Sequence, residues 1–118
     1  MALNDSVMVA AAGEIQALLT HARLHTAAAG GSGTANVAAS SALAVAWTTP
    51  TGAGDFGLDG ALNFSGGTAS GPVHSVTLWT GTPGSGTFRG EFVLTGDAAF
   101  NAAGEYTVTA INFDGSAT

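Results

Sequence analysis

The sequence predicts an all-β domain, a β-sandwich of jelly-roll-like character preceded by a short N-terminal α-helix. Three observations carry that prediction. Eighteen glycines and three prolines punctuate 118 residues. Between them lie short stretches rich in Val, Thr, Leu, Phe and Trp that alternate apolar with polar residues, as half-buried strands do, with turn signals roughly every ten residues. Only one stretch, near the start, carries the helical period. The length suits a single domain, 1–118, with one core.

The elements follow in order. Asn4, Asp5 and Ser6 all suit a helix N-cap, and Val7, Ala11, Ile15 and Leu18 then recur on one helical face. A helix is expected over residues 5–18, with Gly13 costing about 1 kcal/mol relative to alanine. Its sparse charge implies packing on the sandwich or on a neighbouring chain. Ala22 and Leu24 alternate with Arg23 and His25, which reads as a strand with Leu24 inward. The Gly/Ala/Ser-rich segment 27–41 offers little to bury and reads as a long loop. Leu43, Val45 and Trp47 alternate with Ala44, Ala46 and Thr48 up to Pro50, a strand that would bring Trp47 into the core. Phe56 and Leu58, then Asp59-Gly60, then Leu62 and Phe64 resemble a hairpin with a tight turn.

The most regular strand spans 73–80. It sets His74, Val76 and Leu78 on one face and Val73, Ser75, Thr77 and Trp79 on the other. In the next run Phe88, Phe92 and Leu94 point together, opposite Arg89, Glu91, Val93 and Thr95, with Arg89 and Glu91 as a solvated pair. The last strand, 104–113, places Tyr106, Val108 and Ala110 against Ile111 and Phe113 on the reverse face, so it is expected to be covered on both sides. Trp79, Val73, Thr77, Ile111 and Phe113 are therefore the candidate interface residues.

Charge sharpens the picture. Charged residues make up 8% of the chain, lysine is absent, and the two arginines are Arg23 and Arg89. A freely diffusing domain ordinarily carries roughly a quarter to a third charged residues on its surface, and lysine is the usual guard of sheet edges. This composition suits a subunit packed against other subunits. A formal net charge of −6 without lysine excludes a phosphate-neutralising, nucleic-acid-binding surface. Cysteine is absent, which removes disulfides, thiolate metal sites and a cysteine nucleophile. The apolar run 7–13 is far shorter than the ~20 residues of a membrane span, and no basic residue precedes it as in a signal peptide. No membrane association is expected, and any exit from a cell would bypass the secretory route.

Motifs for chemistry are sparse. Residues 52–57 match G-x-G-x-x-G, but a dinucleotide site needs a helix opening at the third glycine, and Leu58 to Phe64 reads as strand and turn. A P-loop requires lysine, and neither Gly31-Ser32-Gly33 nor Gly84-Ser85-Gly86 completes a nucleophile elbow. His21, His25 and His74 could in principle supply metal nitrogens, but His74 among Val76 and Leu78 reads as a core histidine bonded to backbone, and His21 and His25 flank a strand start. Asp55, Asp59 and Asn63 are spaced for turns and caps and lack the regular loop of a calcium site. Asp97 after Gly96 reads as a turn carboxylate. No catalytic residue, metal or cofactor is assigned.

Residues 24–30, Leu-His-Thr-Ala-Ala-Ala-Gly, resemble the "LHTADPG" opening of a family of small virion proteins of tailed bacteriophages, common in phages of actinobacteria and labelled head decoration, minor tail or tail fibre protein. Residues 73–79, Val-His-Ser-Val-Thr-Leu-Trp, are similar to that family's "VTHVGLW". The likeness is strongest at Gly86-Thr87-Phe88-Arg89-Gly90 and over residues 94–108, similar to "GTFYGGF" and "LTGD..FNAAGEYTVT". It covers nearly the whole chain, in residues that are mostly turn formers and strand residues. Ala28-Ala29 replaces the family's Asp-Pro, and Thr77 stands where glycine is usual. The resemblance implies a β-sandwich on the outside of a virion and brings no catalytic residues with it.

The expectation is thus a non-enzymatic structural protein, a capsid decoration or minor capsid protein on the outer face of the major capsid lattice. Its partners would be the major capsid protein and copies of itself. The alternative is a minor tail, tail-tip or tail-fibre protein, and a third reading has an exposed Trp79 stacking on host surface glycans.

Overall fold

A computed structural model describes residues 3–115 of the chain. Helix α1 spans Asp5–Leu18, as its sequence period predicts, and Asn4 caps it by accepting the Ser6 N–H on Oδ1 at 2.9 Å. The strands are β1 (His21–His25), β2 (Leu43–Ala44), β3 (Phe56–Gly57), β4 (Leu62–Phe64), β5 (Ser75–Thr80), β6 (Thr87–Val93), β7 (Tyr106–Val108) and β8 (Asn112–Phe113). Four of them form an antiparallel sheet in the order β2-β1-β5-β6, while β3 pairs with β8 and β4 with β7. The chain is all-β with a short N-terminal helix.

Tertiary pairing overrides local signals in the second layer. The hairpin expected around Asp59-Gly60 does not form: Phe56 lies opposite Phe113 and Gly57 opposite Asn112, whereas Leu62 to Phe64 lie opposite Val108 to Tyr106. Residues 56–64 thus run along 106–113 as one interrupted ribbon, and Asp59-Gly60 is a jog within it. The register changes at that jog. Val108 and Ile111, placed on opposite faces by unbroken alternation, therefore both enter the core. The expected strand through Trp47 is likewise divided between layers. Val45 N–H bonds Thr20 O, but Asp59 N–H bonds Ala46 O and Thr48 N–H bonds Gly57 O, each at 2.9 Å. The segment crosses from sheet to ribbon as a corner strand does, so β2 is short.

The core lies between these layers. Ala22, Leu24, Val76 and Leu78 come from the sheet, Leu62, Phe64, Val108 and Ile111 from the ribbon, and Leu19 and Phe100 from the connections. At one end Trp47 meets Phe56 and Phe113 edge-on at 5.5 Å, Phe113 stacks on Phe56 at 4.6 Å, and Phe92 closes on Phe113 at 5.4 Å. Such ring pairs add about 0.5–1.5 kcal/mol each beyond the area they bury.

Two faces are reassigned along β5 and β6. Leu78 pairs with Gly90 but Trp79 pairs with Phe88, leaving Arg89 as an extra residue in a β-bulge. The bulge turns Phe88 to the face of Trp79, 5.5 Å away, while Phe92 remains on the core face, so these two rings do not point together. At the start of β5 the chain changes partner: Val73 N–H bonds Ala98 O and His74 N–H bonds His25 O. Alternation slips there, so Val73 joins the core and the His74 side chain is 37% exposed, not the core histidine the sequence pattern implied.

Candidate interaction surface

The loop predicted for 27–41 is a fitted cover. Residues 27–36 lie over the face of the sheet opposite the core, above side chains that make the chain's main polar network, while Val37 bridges to His25 and Ala38 joins the core. His25 is fully buried. Its Nδ1 lies 2.7 Å from Ala35 O, which can only accept, so Nδ1 carries the proton and Nε2 accepts from Thr77 Oγ1 at 2.9 Å. Thr77 Oγ1 in turn receives Trp79 Nε1–H at 2.8 Å. Burial holds the His25 pKa below its ordinary value, because a cation there would lose its water, with the nearby Arg23 charge adding to the effect.

Charge at the margin of the network fixes the cover. The Arg23 guanidinium sits 4.6 Å over the Trp79 ring and donates from Nη2 to Gly33 O at 2.9 Å. Glu91 accepts Ser75 Oγ–H and, at 2.9 Å, Ala29 N–H. The Ser75 hydroxyl chiefly, then the Ala29 amide and His74, hold its carboxyl pKa below the ordinary value against the opposing effect of burial. His74 Nδ1 lies 3.8 Å from Glu91, an electrostatic neighbour beyond hydrogen-bond range. Gly33 is required where the cover crosses Phe88: its φ is 70° and a Cβ would lie 2.2 Å from the ring.

This arrangement relocates the residues singled out from the sequence. Trp79 (3% exposed), Val73 (5%), Thr77 (0%) and Ile111 (6%) are all enclosed by the chain itself, and Phe113 is half-buried in the ring cluster. The expectation that Trp79 meets a partner or stacks on a sugar is therefore corrected: its indole edge is satisfied by Thr77 and its faces by Arg23 and Phe88. β5 is covered on both faces by its own chain, which alternation alone could not reveal. Arg89 and Glu91 are not a solvated pair either, since Arg89 Nε donates to Thr80 Oγ1 at 2.7 Å.

The histidines and acids stay dispersed. His21 bonds Thr20 at 2.9 Å, away from the buried ring of His25. Asp55 accepts Gly115 N–H and Asn63 accepts the Thr107 hydroxyl, each at 2.9 Å. Among the described residues no three His, Cys, Asp or Glu side chains stand together as a metal site. No helix among them is long and apolar enough to cross a membrane. The G-x-G-x-x-G string forms a turn leading into β3, and Gly54 lies where a Cβ would sit 2.5 Å from Met8 O of α1.

What the chain does present outward is apolar. Val7 (50% exposed), Ile15 (43%) and Leu18 (42%), from the face by which the helix was recognised, remain largely exposed, and Ala12 is the buried residue of α1. Val93 on β6 is 63% exposed. Between helix and strand lies a hollow of about 260 Å³ lined by Ile15, Leu19, Leu78, Phe92 and Phe113 together with Arg89, Gly90 and Glu91. It is smaller than the roughly 300–1,000 Å³ of a usual small-molecule pocket and suits an inserted side chain better. A helix period cannot say which way its apolar face will turn, so this surface was not legible as exposed. No family model matches the chain, and no significant match to it was found among curated proteins or solved structures.

Proposed function

We propose that the chain is a non-enzymatic structural protein of a tailed-bacteriophage particle, a decoration or minor capsid protein that binds the outer face of the major capsid lattice and stabilises it. The observation that carries this reading is an outward apolar helix face and a bare strand edge on a chain that is 8% charged and has no lysine. Such a surface is an association hazard for a free monomer and an asset for a subunit whose neighbours cover it. The resemblance of residues 24–30, 73–79 and 94–108 to phage virion proteins supplies the setting.

Quantitative mass spectrometry of purified particles tests this. Copies on the order of hundreds per particle, as icosahedral placement requires, support the shell role. A handful matched to the tail's symmetry moves the chain to the tail-tip or fibre alternative, and its absence from particles ends the reading. Attachment by apolar contacts is expected to survive raised salt that would strip a charge-driven contact.

A further inference from the structure

We infer that two copies of this chain join through β6, pairing their edges antiparallel about a two-fold axis at Phe92 to make one continuous eight-stranded sheet. The inference rests on the reading of the chain as an assembled subunit and names one of its contacts.

β6 is an edge of the four-stranded sheet. Leu94 N–H donates to His74 O at 2.9 Å, so Leu94, Phe92 and Gly90 turn their peptide groups toward β5. By the alternation of an antiparallel ladder, Glu91 and Val93 turn theirs outward, and among the described residues no strand pairs with them. Peptide groups at this spacing are complementary to another extended strand. The chain guards only the first half of the edge, with the bulge at Arg89 and the arginine itself. From Gly90 to Thr95 there is no lysine, no proline and no bulge, and Val93 is the most exposed large apolar residue described.

Self-pairing is favoured by how the edge matches its own copy. With the axis at Glu91, two carboxylate side chains would oppose each other directly, which is destabilising. An axis at Gly90 sets glycine against glycine and leaves the hollow beside it open. An axis at Phe92 sets Phe92 against its twin, Glu91 against Val93 of the second copy, and Gly90 against Leu94 of the second copy. In that register a leucine covers the hollow where Gly90 has no side chain. The charges beside the edge, Arg89 and Glu91, are opposite in sign, so the overall net charge of −6 is not concentrated there.

Sedimentation velocity of the full chain across a wide concentration range provides the test, with amide hydrogen exchange alongside. The wild type is expected to dimerise, with the Glu91 and Val93 amides protected in the dimer. Val93→Pro removes an outward N–H from each copy without touching a β5–β6 bond, and should weaken the dimer about thirtyfold. Val93→Glu keeps every backbone group, sets a carboxylate directly against Glu91 of the second copy on both sides of the axis, and should also yield monomer should the proline variant fold poorly. A wild type that stays monomeric overturns the proposal, as does a dimer that persists unchanged in both variants or leaves those amides freely exchanging. A monomer that still joins particles would defeat the strand pairing and spare the virion reading. A β6-paired dimer never found in particles would do the reverse.

Discussion

Replacing Thr77 by valine tests whether the network beneath the 27–36 cover specifies the second face of the sheet. Valine is nearly isosteric with threonine and suits a strand, so the change removes one hydroxyl and little else. That hydroxyl is fully buried, accepts Trp79 Nε1–H at 2.8 Å, and donates to His25 Nε2 at 2.9 Å rather than to the more distant Arg23 O at 3.4 Å. Its loss strands one donor and one acceptor out of water, at about 1–3 kcal/mol each. Valine's better burial returns up to about 1 kcal/mol, leaving a net loss of about 3 kcal/mol. For a domain of this size that lowers Tm by about 12 °C. Urea unfolding followed by tryptophan fluorescence measures it. The control is Thr107→Val, whose exposed hydroxyl bonds only Asn63 Oδ1 and whose loss should cost under about 0.5 kcal/mol. If the two variants lie within about 1 kcal/mol of each other, the buried relay does not hold the cover.

Three further outcomes are expected. Stability should fall with acid in two stages. His25, held below its ordinary 6.5, makes the unfolded chain the better proton binder once pH drops under that value, and Glu91, held below its ordinary 4.5, adds a second loss under that one. Both contributions are complete above pH 6.5, so His25→Gln should erase the first stage in a pH series of urea unfolding curves and leave the second. Gly54→Ala should cost about 2–3 kcal/mol and loosen α1, because φ is 98° and the new Cβ would lie 2.5 Å from Met8 O. Gly13→Ala, with nothing within 4 Å of its Cβ, should instead gain up to about 1 kcal/mol, and thermal unfolding of the pair discriminates the two glycines.

Sparse charge and the lack of lysine motivate the proposal of a covered subunit, yet they do not say which surface would be covered. The five residues chosen from alternation as an interface illustrate the gap. Alternation identifies the face to which Thr77 and Trp79 belong, but a Gly/Ala/Ser segment poor in large apolar side chains folds back over them, using its main-chain groups on His25, Arg23 and Glu91 instead. Bonding by backbone leaves no mark in a hydropathy pattern. Val93 and Gly90 carried no signal of their own, since their meaning depends on β6 lying at an edge.

By itself the sequence determined what is encoded within a few neighbouring residues: the helix over Asp5–Leu18 with its Asn4 cap, the strand character of β1, β5 and β6, the all-β class, and the missing ionic coat. Only the tertiary structure decided what depends on distant partners. It set residues 56–64 along 106–113 in place of a local hairpin, flipped Phe88 through the bulge at Arg89, buried Trp79 beneath its own chain, and turned Val7, Ile15 and Leu18 to solvent. The physical reason is that side-chain alternation fixes two faces of a strand but not what lies over either, and one change of register exchanges them.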